Sequence, residues 1–286
     1  MRLEEIPKVV IPKGKEVIRI AICTLDMQIN MRIGDWIQAL IHLSYAKDCP
    51  WFFKFDLIHG FRHVSYARNV LAGNFIKDQG ASRLWYIDSD MIPSISLFKL
   101  LQSHEADIVC GRMFAWNDIG GVGGREPGPS LCADMREEGT GRYLPLDTKR
   151  VPTDSLIEVD AIGTASMLIK REVMLDHRMY LDDRFTGLDG NEYRHRDFKE
   201  EEYWAPPIFR EVLKPNGAKI LGSDIDFCKR AKAVGYKIGM HTGATIGHHK
   251  EFIVDDAFAL IAGHMQAGIQ LGRAGEVWGK PDKKEG

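Results

Sequence analysis

Asp88 and Asp90 close the run Leu84-Trp85-Tyr86-Ile87-Asp88-Ser89-Asp90-Met91, two carboxylates spaced i, i+2 behind an apolar stretch. On a strand that spacing puts both acids on one face, where the strand gives way to a loop. Like charges so close repel unless a proton or cation intervenes, and two hard oxygen ligands suit a hard divalent metal. In an open α/β sheet the C-terminal strand edge is also where ligands bind. A bare Asp-x-Asp is common, so the rest of the chain must carry the argument.

Three further clusters have chemical potential. Ser65-Tyr66-Ala67-Arg68-Asn69 stands at the start of a helix, where free backbone N–H groups attract anions and an arginine adds a bidentate grip. Gly222-Ser223-Asp224-Ile225-Asp226 opens another helix. A carboxylate there is ordinarily a cap, and it becomes a general base when it faces an open cleft. Gly247-His248-His249-Lys250 offers an imidazole for a metal and an ammonium for a phosphate. Taken singly, each has a plain alternative: a surface arginine, a helix cap, a solvated loop.

The elements that must position these groups alternate. Val17–Thr24 reads as a strand, followed by a helix with Trp36, Ile37, Leu40, Ile41 and Leu43 at near-helical spacing. A strand over Phe52–Ile58 and a helix over Tyr66–Lys77 follow, with Gly80 as the expected C′ residue. The strand Arg83–Ile87 leads into the acids, and Pro93 opens a helix through Leu97, Leu100 and Leu101. Asp107–Cys110 is the next strand. This alternation predicts a mostly parallel sheet with helices on both faces.

From Trp116 to Arg150 the pattern dissolves around Gly120-Gly121-Val122-Gly123-Gly124, which reads as a flexible excursion because no strand leads straight in and no helix straight out. Ile157–Ile169 reads as a strand kinked at its small residues. Arg178–Lys219 is polar and patternless, and its Tyr193, Trp204 and Phe209, like Trp116, could stack on a sugar or nucleobase or simply anchor loops. Ser223–Val234 is a helix with Ser223 or Asp224 as N-cap and Gly235 as its stop. A strand pair over Tyr236–Ile246 breaks at Gly243, and Asp255–Leu271 reads as an amphipathic helix that packs on the domain or joins two copies.

Composition sets limits. The chain has 286 residues, 44% of them hydrophobic and 27% charged, which is ordinary globular material with enough length for a real core. A net charge of −2 gives no long-range pull toward nucleic acid or an anionic membrane. Cys23, Cys49, Cys110, Cys132 and Cys228 are scattered and form no Cys-x-x-Cys pair, so a reduced, cytoplasmic setting is expected. No stretch approaches a membrane span, and no signal-peptide core is visible near Met1.

Taken in chain order, the strand ending at Thr24, Ser65…Arg68-Asn69, the apolar run to Asp88-Ser89-Asp90, Gly163-Thr164, Ser223-Asp224-Ile225-Asp226 and Gly247-His248 resemble the GT-A fold glycosyltransferases. The likeness is to family 2-type members and the related small enzymes often carried by bacteriophages, and it covers residues 16–252. It implies an α/β fold: one GT-A-like domain with a mostly parallel sheet flanked by helices. Residues 1–15 are an irregular lead-in, 16–115 the nucleotide-sugar half, 116–252 the acceptor half, and 253–286 a C-terminal helix and tail.

The implied activity is metal-dependent sugar transfer from a nucleotide-sugar donor, UDP- or GDP-linked, to an acceptor hydroxyl. The acceptor is left unassigned among a glycan, a small molecule and a modified nucleobase. Asp88, Asp90 and His248 correspond to the site of Mn²⁺ or Mg²⁺. Thr24, Ser65, Arg68, Asn69, Asp88, Ser89 and Lys250 fall on the donor side, and Gly163 and Thr164 on the acceptor side. Asp224 corresponds to the base of inverting members and Asp226 to the second acid of that motif. Ser223 departs from the Glu or Asp of many relatives, which leaves the base open between Asp224 and Asp226 and, with it, inversion against retention. Two competing readings are a haloacid-dehalogenase-like phosphohydrolase and a non-catalytic nucleotide-sugar-binding module. The first expects its nucleophilic Asp on the first strand, where this chain has none.

Overall fold

Val17-Ile18-Arg19-Ile20-Ala21-Ile22-Cys23 is apolar at nearly every position, the signature of a strand covered on both faces. The computed structural model describes residues 10–24, 31–59, 64–103, 105–117, 128–146, 151–180, 184–186, 192–194, 208–210, 212–213 and 219–248. There this segment is β1 (Glu16–Thr24), next to the edge of a seven-stranded sheet. Its companions are β2 (Trp51–His59), β3 (Ala81–Asp88), β5 (Ile108–Arg112), β10 (Leu156–Glu158), β12 (Ser166–Lys170) and β17 (Ile238–Thr245), in the order β10-β17-β5-β12-β3-β1-β2. β1, β2, β3, β5 and β17 run one way, and β10 and β12 the other. The molecule is therefore α/β with a mostly parallel central sheet, as the strand–helix alternation implies.

Side-chain alternation sorts the two layers. Ile18, Ile20 and Ile22 of β1 join Trp85 and Ile87 of β3 under α1 (Met31–Tyr45) and α3 (Ile95–Gln102). Trp36 and Trp85 meet edge to face at 5.3 Å there. Ala21, Cys23, Leu84 and Tyr86 face the opposite layer, built from α2 (Val64–Lys77), α4 (Arg171–Leu175) and α5 (Ser223–Ala233). Helices therefore cover both faces of the sheet.

Several local expectations are corrected. Gly80 is not a left-handed C′ residue: α2 stops at Lys77, and Asp78 closes the turn by accepting the Gly80 N–H at 3.3 Å. Pro93 precedes α3 instead of sitting in its first turn, because Ser94 is the N-cap. The N-cap of α5 is Gly222, in extended conformation, and Ser223 and Asp224 already lie inside the helix. Gly235, at φ 101°, terminates the helix as expected. The kinked segment 157–169 divides into β10, β11 (Ala161–Ile162) and β12, with a turn at Thr164–Ala165.

The stretch that looks patternless after Trp116 is not structureless. β6 (Phe114–Asn117) pairs with β7 (Gly128–Leu131), while β8 (Ala133–Arg136), β9 (Tyr143–Pro145) and β11 form a small second sheet. β13 (Arg184–Thr186) pairs with β14 (Glu192–Arg194), and β15 (Val212–Leu213) with β16 (Lys219–Leu221). Near Gly243 the pairing of β17 with β5 shifts register, where a break was expected, although β17 itself continues to Thr245. The glycine run 120–124, the 255–271 segment and residues 1–9 lie outside the described residues. Among the described residues no helix is long and apolar enough to cross a membrane.

Candidate active site

β1 and β3 end side by side, with Cys23 opposite Asp88 and the Ser89 N–H donating to the Cys23 carbonyl at 3.2 Å. Asp88 is the last residue of β3. Because Tyr86 faces the α2–α5 layer, alternation sends Asp88 the same way. It meets Arg68 of α2 there, Nη2 to Oδ2 at 3.5 Å. The Tyr86 hydroxyl fixes the turn beneath by donating to the Arg68 carbonyl at 2.8 Å.

Arg68 is only 7% exposed yet poorly satisfied. Nη1 reaches the Ser223 hydroxyl at 3.5 Å, and Nε is buried without a hydrogen-bond partner. A guanidinium offers five donors, and burying them with two long contacts is costly unless an anion completes the set. Burial raises the Asp88 carboxyl above its ordinary value. Arg68 opposes that rise, while the nearby charges of Asp90 and Asp224 add to it. The neighbouring Cys23 thiol is pushed up to about 11, by burial and then by Asp88.

Asp90 does not share a strand face with Asp88. β3 ends at Asp88, and Ser89 and Asp90 form the turn into β4 (Met91–Ile92). The turn, not strand alternation, keeps the second acid close enough to act on the first. β4 pairs antiparallel with β18 (Gly247–His248), which sets His248 opposite Met91, one residue beyond Asp90. The side chains of Thr24 and His248, and all of Lys250, lie outside the described residues. Among the described residues no group of three His, Cys, Asp or Glu side chains gathers as a metal site. The chemistry of Asp88 and Asp90 nevertheless fits a divalent cation, because hard carboxylate oxygens suit a hard metal.

α5 separates the two late acids. Asp226 is 3% exposed, and its Oδ2 accepts from Arg210 Nε at 2.9 Å and Arg230 Nε at 2.8 Å. A carboxylate held between two guanidiniums in the interior has no route to an acceptor hydroxyl, so its candidacy as base is corrected to a structural one. Asp226→Ala is expected to destabilise the fold by about 3–5 kcal/mol, the cost of leaving buried charge uncompensated. Urea unfolding measures this, and an unchanged midpoint would restore Asp226 as a base candidate.

Asp224 is different. It is half-buried in the first turn, its Oδ1 accepts only the adjacent Ile225 N–H at 3.0 Å, and no ion pair to it forms among the described residues. Across from it, a Cβ on Gly163 would lie 4.0 Å from Asp224 Oδ2 and 3.1 Å from Met113 Cε. The glycine lets the Met113 methyl pack where a side chain would stand, beside the Asp224 carboxylate. Thr164 is 1% exposed with an unpartnered hydroxyl, and the next residue, Ala165, accepts the Asp88 N–H at 3.2 Å. One turn thus borders both acids.

One expected ligand contact, Asn69, is spent internally, and Phe209 proves to be an anchor. The Asn69 amide donates to the Phe209 carbonyl at 2.8 Å and accepts the Phe209 N–H at 2.7 Å, so it seats a backbone segment instead of reaching a donor. Phe209 is 1% exposed and packs on Tyr86 and Phe227 at 5.2 and 4.8 Å, a core ring and not a stacking platform. Trp116, Tyr193 and Trp204 have side chains outside the described residues. Ser65 is half-buried one helical turn before Arg68, on the same face of α2. Sequence reasoning missed Tyr86, whose i−2 spacing from Asp88 was legible. It also missed Arg210, which no local pattern marks out.

No family model and no curated protein matches the chain. Among solved structures it is similar to A197 from STIV, at 12% identity and a TM-score of 0.44, over 83% of this chain and 96% of that one. It is also similar to GalNAc-T7, crystallised with UDP, GalNAc and Mn²⁺, at 11% identity and a TM-score of 0.43, over 83% of this chain and 43% of that one.

Proposed function

We propose that the protein is a metal-dependent glycosyltransferase that moves a sugar from a UDP- or GDP-linked donor to an acceptor hydroxyl with inversion, using Asp224 as the base. The observation that supports this reading is the buried, under-satisfied Arg68 beside Asp88, with the charge of Asp224, which forms no ion pair among the described residues, acting on Asp88. An anion completes Arg68, and a diphosphate leaving group is such an anion. Asp88 and Asp90, with His248, would hold Mn²⁺ or Mg²⁺. A bound divalent cation would supply Lewis-acid stabilisation of the charge growing on the diphosphate.

The chain's own residues do the rest. Arg68 would fix the phosphates, and Ser65 and Ser89 would stand on the donor side. Asp224 accepts the acceptor proton, which needs hydrogen-bonding reach more than a raised pKa. Gly163 and Thr164 are assigned to the acceptor side.

The test is calorimetric titration with UDP-, GDP-, CDP- and dTDP-sugars, with and without Mn²⁺, on wild type and Asp90→Ala. Metal-dependent binding of one nucleotide class, abolished by the substitution, is the expected result. No binding by any of them overturns the reading and turns attention to phosphomonoester hydrolysis.

A further inference from the structure

We infer that the tripeptide Ile208-Phe209-Arg210 is a strap that sets the gap between Arg68 and Asp224, and that Asn69 is the positioning residue that seats it. The inference rests on the reading of Arg68, Asp88 and Asp224 given above.

Ile208 and Phe209 are 0% and 1% exposed and close the apolar run Tyr203-Trp204-Ala205-Pro206-Pro207-Ile208-Phe209. On the α2 side, Asn69 takes both backbone polar groups of Phe209. Asn69 directly follows Arg68, so the strap is tied to the backbone that aims the guanidinium. On the α5 side, Arg210 bonds the Asp226 carboxylate, two residues beyond Asp224. Arg230 grips the same carboxylate and the Ile208 carbonyl, and reaches the Met179 carbonyl at 3.0 Å.

Between the two helices the Phe209 ring packs on Tyr86, two residues before Asp88, and on Phe227 of α5. The three elements that carry Arg68, Asp88 and Asp224 thus meet on one tripeptide. Arg68 and Ser223 stand 3.5 Å apart at the limit of a hydrogen bond, so their own contact does not hold α2 against α5. The strap does. Outer residues of this kind orient a site without touching what it binds.

The test compares Asn69→Ala with Ser44→Ala. Ser44 is equally buried and also makes two hydrogen bonds, to Leu40 and Phe53, but it lies in the opposite layer of the sheet. Both variants lower the thermal midpoint. Mn²⁺ affinity of the folded protein, read by electron paramagnetic resonance, should fall about 10- to 100-fold in Asn69→Ala and stay at the wild-type value in Ser44→Ala. Amide exchange should quicken at Asp226, whose N–H bonds the Gly222 carbonyl at 2.9 Å, in the first variant only.

Equal Mn²⁺ affinity and equal Asp226 exchange in Asn69→Ala and Ser44→Ala would overturn the strap and leave Asn69 a stabilising residue only. If Asn69→Ala does not fold, Phe209→Leu keeps the backbone bonds, removes the ring contacts and is read in the same way. If wild type binds no Mn²⁺, the metal assignment fails by itself, and the exchange comparison decides the strap alone.

Discussion

Asp224→Asn is expected to cut turnover by about 10²- to 10⁴-fold, the usual contribution of a positioned general base, while nucleoside diphosphate binding stays near wild type. The substitution is nearly isosteric. The asparagine oxygen can still accept the Ile225 N–H that Asp224 Oδ1 takes at 3.0 Å, so the first turn of α5 keeps its geometry. On the proposed mechanism, what is lost is the ability to take a proton from the acceptor hydroxyl. The exchange of a carboxylate for an amide at a helix N-terminus also removes a favourable charge–dipole term of about 0.3–1 kcal/mol, too little to unfold the domain. One further consequence separates this from general damage: Asp88 loses a like-charged neighbour, so its carboxyl should titrate lower than in wild type. Single-turnover rates and binding titrations on the same preparation make the measurement. Full turnover in Asp224→Asn would mean that the proton goes elsewhere.

The framework of this site is legible in the sequence because two-faced burial leaves a strong mark. β1 and β3 are apolar on alternate and intervening positions alike, and Asp88 stands where that run stops. The antiparallel insertion of β12 between β3 and β5 is not legible, since Ser166–Lys170 would look the same running either way. Nor are the short pairs between Phe114 and Pro145, whose strands of three or four residues carry no long periodicity. The two acids of α5 are the instructive case. Spacing alone makes Asp224 and Asp226 equivalent candidates. The i, i+4 relation of Asp226 to Arg230 was available as a hint of internal pairing. The second guanidinium, Arg210, arrives from a distant segment that no local pattern could have connected to the helix. Asn69 misleads for the same reason: an amide beside an arginine suggests a ligand contact until a backbone segment from elsewhere uses up both its ends.

Stabilisation by Mn²⁺ is expected to grow as pH rises through the titration of Asp88. The folded-state pKa of this carboxyl lies above its unfolded value near 3.9, chiefly through burial. The metal-free fold therefore holds the proton more tightly than the unfolded chain does. Stability contributed by that proton is complete below the unfolded value and is lost as pH climbs through the folded one. A divalent cation held as proposed would compete for the same oxygens, so its effect should have the opposite slope: little shift in Tm at low pH, then a rise to a plateau once Asp88 is ionised. With Mn²⁺ at one hundred times its Kd, the plateau corresponds to about 2.7 kcal/mol. Asp88→Asn should behave in the reverse sense, with a metal-free form at neutral pH more stable than wild type and a metal-induced shift that disappears. Asp90→Ala should lose the shift too, but without the full gain in metal-free stability, because Asp88 stays charged near Asp224. Scanning Tm against pH with and without Mn²⁺ for the three proteins tests the assignment directly. A metal shift that ignores pH, or one that survives in Asp88→Asn, would place the cation somewhere other than the end of β3.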